Sequence, residues 1–462
     1  MCSHVRELTS RNMSRQPSTA LTGRAQVVSS GLRLGERLRQ LRVAAGLTQS
    51  ELAGQRFSKE YVSQIERGKT RPTRETIDWL AERLGVDSGF LANGVSTDER
   101  GRLDAALSRT EALLEADRNE EARAEFEELL PAVRATGLPE FELRALQGAA
   151  RADMRLGEPR KALELLTRAR ELVERPAFSD VERAEILFVI GVCRYQLSSV
   201  QTALALFNEA LSLAERSGLP CDALRSHILS WRSRCWRRQR DYEAAREDVE
   251  RALELAEAVQ DPRTVGAAYF QASIVADREG HWVLARNYAE KAKRAYEQLS
   301  DQVNVGRLTN NLGMLQFLLG KPDEAVEQLK EAFAIALDNG HDADAGQAIN
   351  SLAQVHLRTG KPELAEEQAR HALRLLDARV DFLDEIGNAQ LVLGRALLDQ
   401  DRLDEAEKCF RSAESSFEQL GSAALRAAAW VARGDLAARR GEDRTAARLY
   451  RNAAETLQEI KF

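Results

Sequence analysis

The stretch LGMLQFLLGKPDEAVEQLKEAF, Leu312–Phe333, is answered in register by LAQVHLRTGKPELAEEQARHAL, Leu352–Leu373. Working outward from this pair, one alanine recurs as Ala122, Ala162, Ala203, Ala245, Ala285, Ala325, Ala365, Ala406 and Ala446, at intervals of 40 to 42 residues. Five residues before each stand Asp117, Gly157, Ser198, Arg240, Gly280, Gly320, Gly360, Asp401 and Gly441, where a turn is wanted. Twelve residues before lie Thr110, Ala150, Gly191, Ser233, Ser273, Gly313, Ala353, Gly394 and Gly434, nearly all small. A second alanine follows seven residues later in every repeat but the first, from Ala169 to Ala453, keeping the register. A fixed period of this size is the mark of stacked helical hairpins, which expose an apolar face that only a neighbour can cover.

Small residues at such places let two antiparallel helices touch, and the pattern resembles the tetratricopeptide (TPR) repeat. That resemblance implies an all-α array over residues 100–462, a right-handed solenoid of about nine hairpins with a concave inner surface. The period departs from the standard repeat of about 34 residues, and longer helices with the same contacts are expected to absorb the difference.

Ahead of the array the pattern shortens. Leu34, Leu38 and Leu41 mark one face of a helix over about residues 33–45, stopped by Gly46. Thr48-Gln49-Ser50-Glu51 is a capping box that opens a short second helix. Ser58 caps a third, ended by Gly68, and Pro72-Thr73 opens a fourth, closed by Gly85. Four short helices with a tight turn in the middle lay one helix in a major groove. GLTQSELA, YVSQIERGK and RPTRETI, within Leu34–Val86, resemble the Cro and phage-repressor type of helix-turn-helix.

In that resemblance Gln49 takes a backbone-phosphate contact. Ser58, Lys59, Glu60, Ser63 and Gln64 lie on the recognition helix and its cap, where Lys and Gln serve as donors to purine edges and Glu60 accepts from cytosine. Lys69 and Arg71 hold phosphates and set register without reading sequence, and Arg42 and Glu66 form an ion pair between the first and third helices. The turn Gly54-Gln55-Arg56-Phe57 is shorter than the family's, and Phe57 is expected to plug the core. The head therefore spans 31–95, and double-stranded DNA is its expected partner.

Charge divides the same way. Residues 1–95 carry 15 Lys and Arg against 9 Asp and Glu, or +6, which leaves −12 for the remainder of a chain whose net charge is −6. A basic head on an acidic body means that only the head approaches a polyanion. Residues 1–30, polar with Glu7 as the only acid, read as a disordered arm; Arg11, Arg15 and Arg24 there could reach phosphates, but a translation start at Met13 or a merely solvated terminus is the preferred explanation.

Several function classes drop out. No stretch nears the roughly 20 apolar residues of a membrane span, and residues 1–30 lack a signal peptide's apolar core, so a cytoplasmic location is expected. The five cysteines contain no C-x-x-C pair and the six histidines no metal spacing. No nucleophile stands beside a base, and Gly68-Lys69-Thr70 lacks the earlier glycine of a phosphate-binding loop, since Ser63 occupies that place. Neither an enzyme nor a cofactor is expected.

On the first helix of each repeat, Asn310 and Asn350 share one position, with Phe270, Arg278, Arg307, Phe317 and Gln347 near them. Amides repeated along a groove suit the N–H and C=O groups of an extended peptide. Arg234, Arg237 and Arg238 flank Trp231 and Trp236 and suit an acidic group. The alternative is that the asparagines cap helices and the arginines pair with neighbouring acids. Head and array together resemble the peptide-pheromone-sensing bacterial regulators, which implies a homodimer holding a peptide or protein effector. A protein-interaction adaptor that grips a partner through the groove is the competing reading.

Overall fold

The computed structural model describes residues 33–376 and 382–459. The arm at 1–30, with Arg11, Arg15 and Arg24, lies outside the described residues. Every regular element among those described is helical.

In the head, α1 (Leu34–Ala44), α2 (Gln49–Ala53), α3 (Lys59–Glu66) and α4 (Arg74–Leu84) fall within a residue or so of their expected bounds. Their starts follow from the side chains that satisfy the first free amides. Thr48 accepts from Glu51 N, Ser58 from Tyr61 N and Thr73 from Thr76 N. Leu38, Leu52, Val62, Ile65, Leu80 and Leu91 fill one small core. A β-carbon at Gly35 would stand 2.4 Å from the Ile65 carbonyl oxygen, so the absent side chain lets α1 lie against the end of α3.

The expected four helices omit a fifth, α5 (Ser88–Asn93), capped by Asp87. It contributes Leu91 to the core, and its last carbonyls hold the buried Arg37, whose Nε donates to Leu91 O at 2.9 Å and Nη2 to Ala92 O at 2.8 Å. Six residues are too few to show a helical period, which is why the sequence pattern hides it.

Among the described residues, eighteen helices follow the head. One compact unit, ending at Ser198, holds α6 (Thr97–Glu115), α7 (Asn119–Thr136), α8 (Pro139–Arg155), α9 (Pro159–Val173) and α10 (Asp180–Gln196) after the head. The other, from Ser199, holds α11 (Val200–Arg216), α12 (Asp222–Arg238), α13 (Tyr242–Val259), α14 (Pro262–Arg278), α15 (Trp282–Gln298) and α16 (Gln302–Leu318). It continues with α17 (Pro322–Asp338), α18 (Asp342–Arg358), α19 (Pro362–Leu376), α20 (Leu383–Asp399), α21 (Leu403–Gln419), α22 (Ala423–Arg439) and α23 (Asp443–Glu459). Most of these are 17 residues long, about 25 Å at the α-helical rise. Two such helices and two short turns make up the 40-residue period.

The register holds residue by residue. All the expected turn positions, from Asp117 to Gly441, sit at φ between 57° and 81°. The small residues from Thr110 to Gly434 are buried. At Gly394 an added β-carbon would meet the Phe410 ring at 2.5 Å, and at Gly434 the Tyr450 ring at 2.5 Å.

The structure adds a small-residue position that the sequence pattern does not single out. Gly266, Gly306, Gly346 and Gly387, seven residues before the expected one, receive Tyr296, Ile335, Leu376 and Phe417 from the second helix of the same hairpin. This additional layer of packing is what the longer helices supply.

Candidate nucleic-acid interface and repeat groove

Lys59 and Glu60 occupy the first turn of α3 and are exposed, Gln64 is exposed one turn on, and Ser63 is half-buried. The Ser58 hydroxyl accepts from the Tyr61 amide at 3.1 Å, fixing where α3 begins. Gln64 Oε1 accepts from Thr70 Oγ1 at 3.0 Å, tying the recognition helix to the segment that carries Lys69 and Arg71, both exposed. The half-buried Gln49 donates from Nε2 to Glu66 Oε2 at 2.8 Å, which ties the start of α2 to the end of α3. Arg42 Nε meets Glu66 Oε1 at 2.6 Å as the ion pair requires. Phe57 is half-buried, its ring 5.3 Å from Tyr61 and 5.1 Å from Trp79, closing the edge of the core in the short turn. Gly54 there takes φ 56° and ψ −140°, a conformation open to glycine and costly to other residues.

In the repeats, Asn310 and Asn350 sit in the middle of α16 and α18, so neither caps a helix. Both are buried, and the Oδ1 of each has no hydrogen-bond partner. Gln271 on α14 and Ser230 on α12 show the same burial, with Oε1 and Oγ unpartnered. Four consecutive first helices thus each carry a buried side-chain oxygen with no protein hydrogen-bond partner, a pattern that buried polar groups seldom show. Arg307 and Gln347 line one narrow cleft with Asn310, and there Arg307 Nε reaches both oxygens of Asp344 at 3.0 Å. The ion-paired alternative therefore holds for Arg307.

Phe317 is half-buried against Leu329, Leu352 and Val355, with the Arg358 guanidinium 5.8 Å from its ring centroid. Phe270 is half-buried beside the Tyr269 cluster, and Arg278 is exposed at the end of α14. In α12 the Arg234 guanidinium lies 4.0 Å over Trp231, while Arg237 is half-buried and Arg238 exposed. Trp236 leaves that group, because its Nε1 donates to Asp248 Oδ2 at 3.1 Å, on α13. Asp248 also takes Arg232 Nη2 at 2.5 Å, so Trp236 and Arg232 join the two helices of one hairpin. Spacing alone does not separate these roles, since all six residues fall within two turns of α12.

Among the described residues no helix is long and apolar enough to cross a membrane, and no group of three or more His, Cys, Asp or Glu is placed to hold a metal.

A recognition helix held by an ion pair, followed by stacked hairpins, defines a helix-turn-helix head on a tetratricopeptide array. Residues 33–93 match a helix-turn-helix domain family, and residues 148–220, 304–378 and 391–458 match tetratricopeptide repeat families. The head is 42% identical over 65 residues to the HTH-type transcriptional regulator DdrOP3 of Deinococcus deserti, 14% of this chain and 50% of that protein. It is 44% identical over 54 residues to the uncharacterized HTH-type transcriptional regulator y4dJ of Sinorhizobium fredii, 12% of this chain and 70% of that protein. The chain thus spans about half the length of the first relative. Through its head the chain belongs to the helix-turn-helix transcriptional regulators.

Among solved structures, a Rap protein complexed with competence and sporulation factor shares the fold with a TM-score of 0.58 at 15% identity, over 78% of this chain and 99% of that one. The quorum sensor NprR of B. thuringiensis, in apo form, gives 0.54 at 14% identity, over 77% and 99%. NprR in complex with its cognate peptide NprX gives 0.53 at 14% identity, with the same coverage. At these identities the likeness is one of fold.

Proposed function

We propose that the chain is a cytoplasmic, sequence-specific DNA-binding regulator whose repeat array takes an extended peptide as effector and joins two copies. For the head, the supporting observation is the exposed cluster of Lys59, Glu60 and Gln64 on α3 with Lys69 and Arg71 just beyond it. The first group reads base edges and the second holds phosphates.

For the array, one observation carries the reading: the buried, unpartnered oxygens of Ser230, Gln271, Asn310 and Asn350 on successive first helices. Backbone N–H donors of an extended chain would satisfy such acceptors and offset the desolvation they have already undergone. That NprR was solved with a peptide accords with this use of the fold. Two heads on a dimer would take half-sites about 34 Å apart, and an effector that repacks the array would change that spacing.

Footprinting the full-length protein along chromatin tests the reading. Discrete protected sites, lost when Lys59 and Gln64 are both alanine, are expected. A stoichiometric protein partner with no protected site would favour the adaptor instead.

A further inference from the structure

Between α18 and α20, the first helices of two successive repeats, lies a cavity of about 140 Å³. Arg358 and Arg395 stand at its wall with the amides of Gln354 and Asn388, and Leu357, Leu391 and Val392 line the rest. No acid is among the lining residues. Both arginines are exposed, and neither has an ion-pair partner among the described residues; Arg358 has only the Phe317 ring, at 5.8 Å. Several other arginines of the array are ion-paired instead: Arg307 with Asp344, Arg402 with Glu366, Arg433 with Glu414 and Arg440 with Glu407.

We propose that this cavity is a carboxylate-binding subsite, taking an acidic group of the peptide effector; it rests on the peptide-binding reading of the array. A guanidinium presents a planar fork that matches a carboxylate, and the apolar floor strengthens the hydrogen bonds made above it. Gln354 and Asn388 add neutral amide donors beside the two cations.

Position supplies an independent support. Asn350, Gln354 and Arg358 follow one another at four-residue steps on one face of α18. A chain whose backbone N–H met Asn350 Oδ1 would pass directly to the cavity. A nucleic acid is disfavoured here, because the array carries the net negative charge. The carboxylate has two sources, an Asp or Glu side chain or the peptide's own C-terminus.

The test equilibrates the full-length protein, and the R358Q/R395Q double variant, with a pool of short random peptides made once with free acid and once with amidated C-termini. Retained peptides are sequenced by mass spectrometry. Wild type should enrich Asp and Glu if a side chain fills the cavity, or favour the free-acid pool over the amidated one if the terminus does. The double variant should lose that preference and bind the enriched peptides about tenfold or more weakly. An unchanged thermal midpoint, expected of two exposed side chains, shows that its fold is intact.

Peptides retained without any acidic or free-acid preference, or the same set retained by the double variant, would overturn the subsite alone. Retention of no peptide by either protein would overturn the peptide reading and the subsite with it.

Discussion

Arg42 of α1 grips Glu66 at the end of α3, with Nε to Oε1 at 2.6 Å and Nη2 to Oε2 at 3.2 Å, while its Nη1 holds the Leu47 carbonyl at 2.8 Å. Gln49 adds a further donor to Glu66 at 2.8 Å. The helix that carries Lys59, Glu60 and Gln64 is thereby fixed to both helices before it. Packing alone, through the close approach of Gly35 to the Ile65 carbonyl, would leave its rotation less defined.

Because the Glu66 side chain is only 4% exposed and that of Arg42 12%, removing either partner leaves a buried charge uncompensated. Glu66→Ala should destabilise the head by about 3–5 kcal/mol, seen as lower hydrogen-exchange protection in α1 and α3. Glu66→Gln, which keeps the shape and an acceptor, should cost less. Unchanged protection in the alanine variant would contradict the role given to the pair.

In the array, Gly394→Val would force a branched side chain into the Phe410 ring, which already stands 2.5 Å from an added β-carbon. Overpacking of this kind costs about 1–3 kcal/mol, and faster exchange should be confined to α20, α21 and their neighbours. Gly360→Ala meets open space but keeps φ at +74°, so its cost should be only about 1 kcal/mol.

Glu385, at the start of α20, is pushed up to about 8, first by burial and then by Asp384, with Asp344 also near. Its folded value lies above the ordinary 4.5, so the folded state binds more protons across that interval. The associated stability is present below the ordinary value and is lost as pH rises through the folded one. Glu385→Gln should therefore raise the thermal midpoint little at acidic pH and increasingly towards and above pH 8, where the difference levels off. An equal difference at both ends of the range would sink this assignment.

Much of this was legible in the residues. Repeats announce themselves because Ala325 and its counterparts must be small wherever two helices meet, and because turns such as Gly320 need a left-handed residue. The caps Thr48, Ser58 and Thr73 fixed the head's helix starts for the same local reason. What stayed hidden depends on contacts between distant residues. Nothing near Arg37 foretells that its guanidinium ends on carbonyls 54 and 55 residues later. Arg358 and Arg395 stand at different places within their repeats, so aligning repeats separates two side chains that the fold brings to one cavity. Trp236 looks like a groove residue until Asp248, on the next helix, claims it together with Arg232.

At the DNA, the two groups of head residues should part experimentally. Alanine at Lys59 and Gln64 together should cost about 1–3 kcal/mol for each base-edge interaction removed and relax the preferred sequence. Arg71→Glu should weaken binding to every duplex alike and lower the slope of log affinity against log salt by about 1 or more. Anisotropy titrations over a range of salt concentrations distinguish the two behaviours.

The most direct test is the affinity of the purified full-length protein for a duplex carrying a footprinted site, set against a scrambled duplex of the same composition at physiological salt. A head that reads base edges through α3 should favour the site by a factor on the order of a thousand or more, falling towards unity when Lys59 and Gln64 are both alanine. Equal affinity of the unmodified protein for the two duplexes would contradict it.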